Sequence, residues 1–135
     1  MKAAKKGCVF CEMPEVERSR VLYEDRICRV MLSRYPVEKG HLLVVSKAHY
    51  ASMLDAPDPV VGRMFNVAKR FGKITMKKLR CKGMDIGVNI GCAGSIPHFH
   101  IHILPRYSKR IIHFATGKNE IQRKEIREVM HLIGL

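Results

Sequence analysis

At 135 residues, with 47% hydrophobic and 27% charged residues, the chain has the length of one domain, 1–135, and enough apolar material to bury a core without disulfide staples. Lys and Arg outnumber Asp and Glu by 25 to 12, for a formal charge of +13; polyanions are attracted, yet no compact Lys/Arg run interleaved with aromatics marks a nucleic-acid surface, so nucleic acid is an open but unfavoured partner. The longest apolar runs, such as Leu42 to Val45, are too short to cross a bilayer, no signal-peptide stretch follows the basic start, and the five cysteines are an odd number, which together point to a reducing, cytoplasmic setting away from membranes.

Cys8 and Cys11 open the chain with a CxxC spacing that fits either a metal site or a redox pair. Apolar segments then run from Arg20 to Tyr23, Ile27 to Leu32 and His41 to Ser46, separated by the turn residues Glu24-Asp25 and Pro36 to Gly40, and read as antiparallel strands. Asp58-Pro59 provides a helix start, and Val60, Met64, Phe65, Ala68, Phe71, Ile74 and Leu79 recur at helical spacing over about five turns. After Lys82-Gly83 the segments Met84 to Ile90 and Pro97 to Pro105 return to strand character, and Asn119 to Leu132 reads as an amphipathic helix. The fold class is therefore α+β: a mostly antiparallel sheet with a long helix packed on one face and a C-terminal helix.

His98-Phe99-His100-Ile101-His102-Ile103 alternates polar and apolar residues without a break, the pattern of a half-buried strand. Phe99, Ile101 and Ile103 face the core, and the three imidazoles line the opposite face about 6–7 Å apart. Such a row fits a metal-chelating strand or a line of nucleophiles and acids better than a chance polar face. Just upstream, Asn89-Ile90-Gly91-Cys92-Ala93-Gly94-Ser95-Ile96-Pro97 is a loop of small residues. Its glycines let backbone N–H groups approach an anion, and Asn89 and Ser95 add side-chain donors; ordinary turn glycines are the competing account.

HFHIHIL resembles the His-x-His-x-His-x-x signature of the histidine-triad superfamily, and LSRYPVEKGHLLVVSKAHY, CVFC and NIGCAGSIPHFHIHILPRY extend the likeness over roughly Cys8 to Tyr107, with the branch acting on diadenosine polyphosphates the most similar. The resemblance implies a nucleotide hydrolase or transferase, hydrolase favoured over phosphorylase, that cleaves at an α-phosphate through a nucleotidylated histidine. His100 would be the nucleophile, His102 and Ser95 donors to the phosphate, and His41 a support from the neighbouring strand. Val9, Phe10, Met13 and Met31 would hold the base, with Asn89, Gly94 and Ser95 near the phosphate. Ser33 stands where relatives carry Asp or Asn toward the ribose, which weakens that contact. Cys8, Cys11, His49 and His98 would bind a structural zinc, leaving Cys28, Cys81 and Cys92 as ordinary thiols and His113 and His131 as surface residues. Expected substrates are dinucleoside polyphosphates or adenylated small molecules. A deadenylase of adenylated nucleic-acid ends and a low-turnover nucleotide-binding protein are the alternatives. A homodimer is also implied, with Met64, Phe65 and Phe71 as candidate interface side chains or, equally, core residues.

Overall fold

The computed structural model describes residues 4–13, 15–94, 96–109, 117 and 119–134, leaving aside the side chains of 15 and 16. Ser95 and His113 therefore lie outside the described residues. A single five-stranded antiparallel sheet carries the fold, formed by β1 (Val21–Glu24), β2 (Cys28–Leu32), β3 (Leu42–Ser46), β4 (Gly83–Gly87) and β5 (His100–Arg106) in the order β1-β2-β3-β5-β4. Two helices, α1 (Asp58–Leu79) and α2 (Arg123–Ile133), complete it. The β1–β2 turn is tied by Asp25, which accepts from the Ile27 and Cys28 N–H groups at 2.7 and 2.9 Å.

Alternation decides which face each strand residue serves. Val30, Leu32, Leu42, Val44, Ile101 and Ile103 join Met64, Val67, Ala68 and Phe71 of α1 and Val129 and Ile133 of α2 in the main core. On the opposite face Met31, Leu43 and Val45 pack with Phe10. The expected half-buried strand is thus covered on both sides: His98 and His102 retain only 1% and 5% of their surface, because the segment from Cys8 to Met13 folds over the histidine face.

Several boundaries differ from the sequence pattern. Helix α1 starts with Pro57 rather than Asp58 in the capping position and runs 22 residues, nearer six turns than five. It ends at Arg80, whose left-handed φ of 54° breaks the helix without a glycine. β4 stops at Gly87 instead of Ile90, and α2 begins at Arg123 instead of Asn119. Met64 and Phe71 are fully buried in the core of this chain, which removes them as interface candidates; Phe65 packs on the same core and is partly buried. Gly40 turns the chain into β3 with φ of 84°, a left-handed conformation that favours glycine, and a Cβ there would also push aside the Leu79 Cδ1 methyl, 2.2 Å away at the end of α1. Among the described residues, no helix is long and apolar enough to cross a membrane.

Candidate active site

β5 lies between β3 and the edge strand β4, and its register puts His102 opposite Leu43 and His100 opposite Val45 of β3. Both imidazoles face a cavity of about 870 Å³. Apolar walls come from Val9, Phe10, Met13, Met31, Leu43 and Ile96, and polar groups from Ser33, Asn89 and the turn containing Cys92 and Gly94. The residues expected to hold a nucleotide therefore meet at one cavity, Ser95 aside. Phe10 stands edge-on to both His98 and His100, with ring centroids 5.4 and 5.2 Å away.

The hydrogen bonds of the histidines assign their protons. His100 Nδ1 lies 2.7 Å from the His98 carbonyl oxygen, an acceptor only, so Nδ1 carries the hydrogen and Nε2 keeps its lone pair. The Val37 N–H donates to His41 Nδ1 at 3.1 Å. His41 therefore holds its hydrogen on Nε2, 2.9 Å from His102 Nδ1, and donates it. His102 in turn carries its own hydrogen on Nε2, ready to donate to a bound group. His41 sits behind His102 rather than in the cavity wall, as a support from the start of β3.

Burial lowers the pKa of all these rings. It brings His41 to about 4, with the charge of a protonated His100 adding to the effect. His102 falls to about 3 through burial and its two histidine neighbours, and burial also lowers His100, against the pull of the His98 carbonyl. All three are neutral at pH 7, which leaves the His100 Nε2 lone pair available toward the cavity as a base or nucleophile.

A second cluster lies beside the first. The Cys8, Cys11, His49 and His98 ligand atoms all fall within 4.8 Å of one another. Cys8 Sγ to His98 Nδ1 and Cys11 Sγ to His49 Nδ1 are each 3.3 Å, Cys11 Sγ to His98 Nδ1 is 3.5 Å, and the two histidine Nδ1 atoms are 3.2 Å apart. The edges of a tetrahedron about zinc with S and N ligands are about 3.3–3.8 Å, so the set fits the metal. His98 Nε2–H donates to the Ser46 carbonyl at 2.7 Å, which frees Nδ1 for a metal and supplies the outer hydrogen bond that ligand histidines need. Four protein ligands close such a site and make it structural.

The remaining expectations divide. The loop after β4 is a 3-10 turn at Gly91–Ala93 whose Ala93 and Gly94 N–H groups are spent on the Ile90 and Gly91 carbonyls, rather than an open nest of amides. Cys28 is fully buried and its thiol is pushed up to about 12, chiefly by burial. Cys81 lies 3.4 Å from Met76 Sδ, and Cys92 is exposed at the cavity. His131 is exposed, as expected. Sequence reasoning passed over Glu17, Arg20, Arg34 and Tyr35, which also line the cavity. No motif marks them, since a 3-10 helix at Glu15–Arg20 and the β2–β3 connection bring them there from separate parts of the chain.

The family pattern of the HIT domain matches residues 15–109. The chain is 34% identical over 130 residues to adenylylsulfatase HINT3 of Arabidopsis thaliana, covering 94% of this chain and 66% of that protein, just under two thirds of its length. Its structure is similar to that of a hypothetical histidine triad nucleotide-binding protein from Sulfolobus tokodaii, with a TM-score of 0.79 at 27% identity over 93% of this chain and 89% of that one. It is also similar to a Zn-bound histidine triad family protein from Mycobacterium smegmatis, with a TM-score of 0.74 at 26% identity over 94% and 93%.

Proposed function

The chain belongs to the HIT domain family, and on that premise we propose that it is a nucleotide-binding hydrolase or transferase in which His100 attacks the α-phosphate of a bound nucleotide. The observation that carries this reading is the 2.7 Å hydrogen bond from His100 Nδ1 to the His98 carbonyl. With that hydrogen fixed on the sheet side, the neutral ring offers its Nε2 lone pair to a phosphorus atom in the cavity. Attack forms an N–P bond as the bond from phosphorus to the leaving oxygen or nitrogen breaks; the leaving group departs with the bonding electron pair and, where it is basic, takes up a proton from solvent. Water or another acceptor then takes the nucleotidyl group and returns Nε2 to its starting state. His102 Nε2–H, Asn89 and Ser95 are the donors assigned to the phosphoryl oxygens and leaving group.

Cys8, Cys11, His49 and His98 are proposed to hold zinc, which would tie the N-terminal segment to the start of β5 without entering the reaction. The apolar wall of Val9, Phe10, Met13 and Met31 suits a base. Within the expected substrates, the adenylylsulfatase relative favours adenylated small molecules over dinucleoside polyphosphates. A homodimer and a cytoplasmic location complete the reading.

A substrate panel is the direct test. Adenylyl sulfate, adenosine phosphoramidate and diadenosine polyphosphates should be assayed with and without inorganic phosphate, and products quantified by chromatography. Release of AMP from at least one class is expected; formation of ADP only when phosphate is present would replace hydrolysis by phosphorolysis. Saturable binding without product from any class would overturn the enzyme reading.

A further inference from the structure

The far end of the cavity holds charged groups that the proposed chemistry leaves unused. Glu17, Arg20, Ser33 and Arg34 all line it. Arg20 is 7% exposed and anchored twice: Nη1 donates to the Leu32 carbonyl, and Nε donates to Glu17 Oε2 at 2.8 Å, with Nη2 on the same oxygen. Glu17 is thereby held by a buried guanidinium, its side chain 15% exposed. Its other oxygen, Oε1, has Arg34 Nη1 at 3.8 Å, beyond hydrogen-bond length. The second acid on the cavity wall, Glu12, is exposed and accepts from the Gly7 N–H at 2.9 Å.

From these positions we propose that Glu17 recognises the ribose diol of the bound nucleotide, an inference that rests on the nucleotide reading of the cavity. A carboxylate oxygen accepts hydrogen bonds from neighbouring hydroxyls and donates none, which matches a vicinal diol. The distance also suits it. The Ser33 N–H donates to the His41 carbonyl at 2.9 Å, so the path from His102 crosses the ends of β3 and β2 before reaching the Arg20 guanidinium on the Leu32 carbonyl. Two strand spacings make about 10 Å, a span covered by the five or six bonds from phosphorus to the sugar hydroxyls once a hydrogen bond is added at each end. Ser33, on the same wall, brings a hydroxyl that can both donate and accept, and therefore selects less strictly for a diol than a fixed carboxylate does. Arg20 acts through Glu17 as a positioning residue.

The experiment compares the binding of AMP and of its 2′,3′-dideoxy analogue by titration calorimetry. Wild-type protein is expected to bind the dideoxy analogue about tenfold or more weakly, because a site built to pair hydroxyls is left with unpaired polar groups when they are missing. Glu17→Met, which keeps the length of the side chain but has no oxygen to accept from a hydroxyl, should bring the two affinities within about threefold of each other while leaving that of the dideoxy analogue nearly unchanged, and the unchanged value shows that the variant is folded. Retention of the AMP preference in Glu17→Met, or equal binding of both ligands by wild type, overturns the assignment. A wild-type measurement covers a variant that does not fold: the 13C resonance of the Glu17 carboxyl should shift with AMP and stay in place with the dideoxy analogue, and identical responses overturn the proposal. Failure of wild type to bind either nucleotide would instead sink the nucleotide reading itself.

Discussion

His41 Nε2 stands 2.9 Å from His102 Nδ1, inside the sheet and behind the cavity wall. Since the Val37 N–H already occupies His41 Nδ1, the proton order is set by one backbone donor: Val37 to His41, His41 to His102, His102 to whatever binds. Replacing His41 by Phe keeps a ring in place but removes the donor, leaving His102 free to take the other tautomer. Turnover should fall about 10–100-fold, the usual cost of losing an outer partner to a functional histidine. Nucleotide affinity should change far less, and steady-state kinetics beside equilibrium binding would separate the two.

His100→Asn deletes the proposed nucleophile and keeps much of the polarity. Turnover should drop by orders of magnitude, with nucleotide affinity and fold retained. Mass spectrometry of samples quenched without acid should detect a nucleotidyl adduct on wild type and none on the variant. An adduct on His100→Asn, or near-normal turnover, would end the covalent mechanism.

Protein purified without chelators should hold close to one zinc per chain. Cys8→Ser should lose both the metal and thermal stability, because the site ties Cys8 and Cys11 to His49 and to His98 beside β5. Elemental analysis and thermal melts check this. Full zinc retention after replacing both Cys8 and Cys11 would remove the cluster from its proposed role.

Stability should fall on acidification before most carboxylates titrate. His41 and His102 have folded pKa values near 4 and 3, below the 6.5 of an unfolded histidine. The unfolded chain therefore binds more protons in that window; the stabilisation is complete above about pH 6.5 and is lost as pH falls toward 4 and then 3. Urea midpoints measured from pH 7.5 to 4 should decline. His41→Asn should show a shallower decline than wild type, having one such histidine fewer. An unchanged slope in the variant would mean that His41 is not the buried neutral ring described here.

The net charge of +13 should raise encounter rates with diadenosine polyphosphates more than with singly charged phosphoramidates. Apparent second-order rate constants for the former should fall more steeply between low and high salt. Equal slopes would show that the basic excess has no part in substrate choice.

The histidine strand, the four strands before it and the long helix were legible in the sequence because their side-chain periods are local: two for β5, near four for α1. The motif residues could be named for the same reason, since the spacing of His98, His100 and His102 dictates their common face whatever packs upon it. What packs upon it was decided by the tertiary structure. Cys8 to Met13 fold over the histidines, which turns a half-buried strand into a buried one and lowers the pKa of every ring on it. The helix residues Met64 and Phe71 could serve a core or an interface by pattern alone, and only the sheet beneath them makes them core. Likewise, no local signal brings Glu17 to the end of β2; that depends on the Arg20 guanidinium reaching the Leu32 carbonyl. Periodicity assigns a side chain to a face, whereas proton positions, pKa values and the groups that share a cavity depend on neighbours from distant parts of the chain.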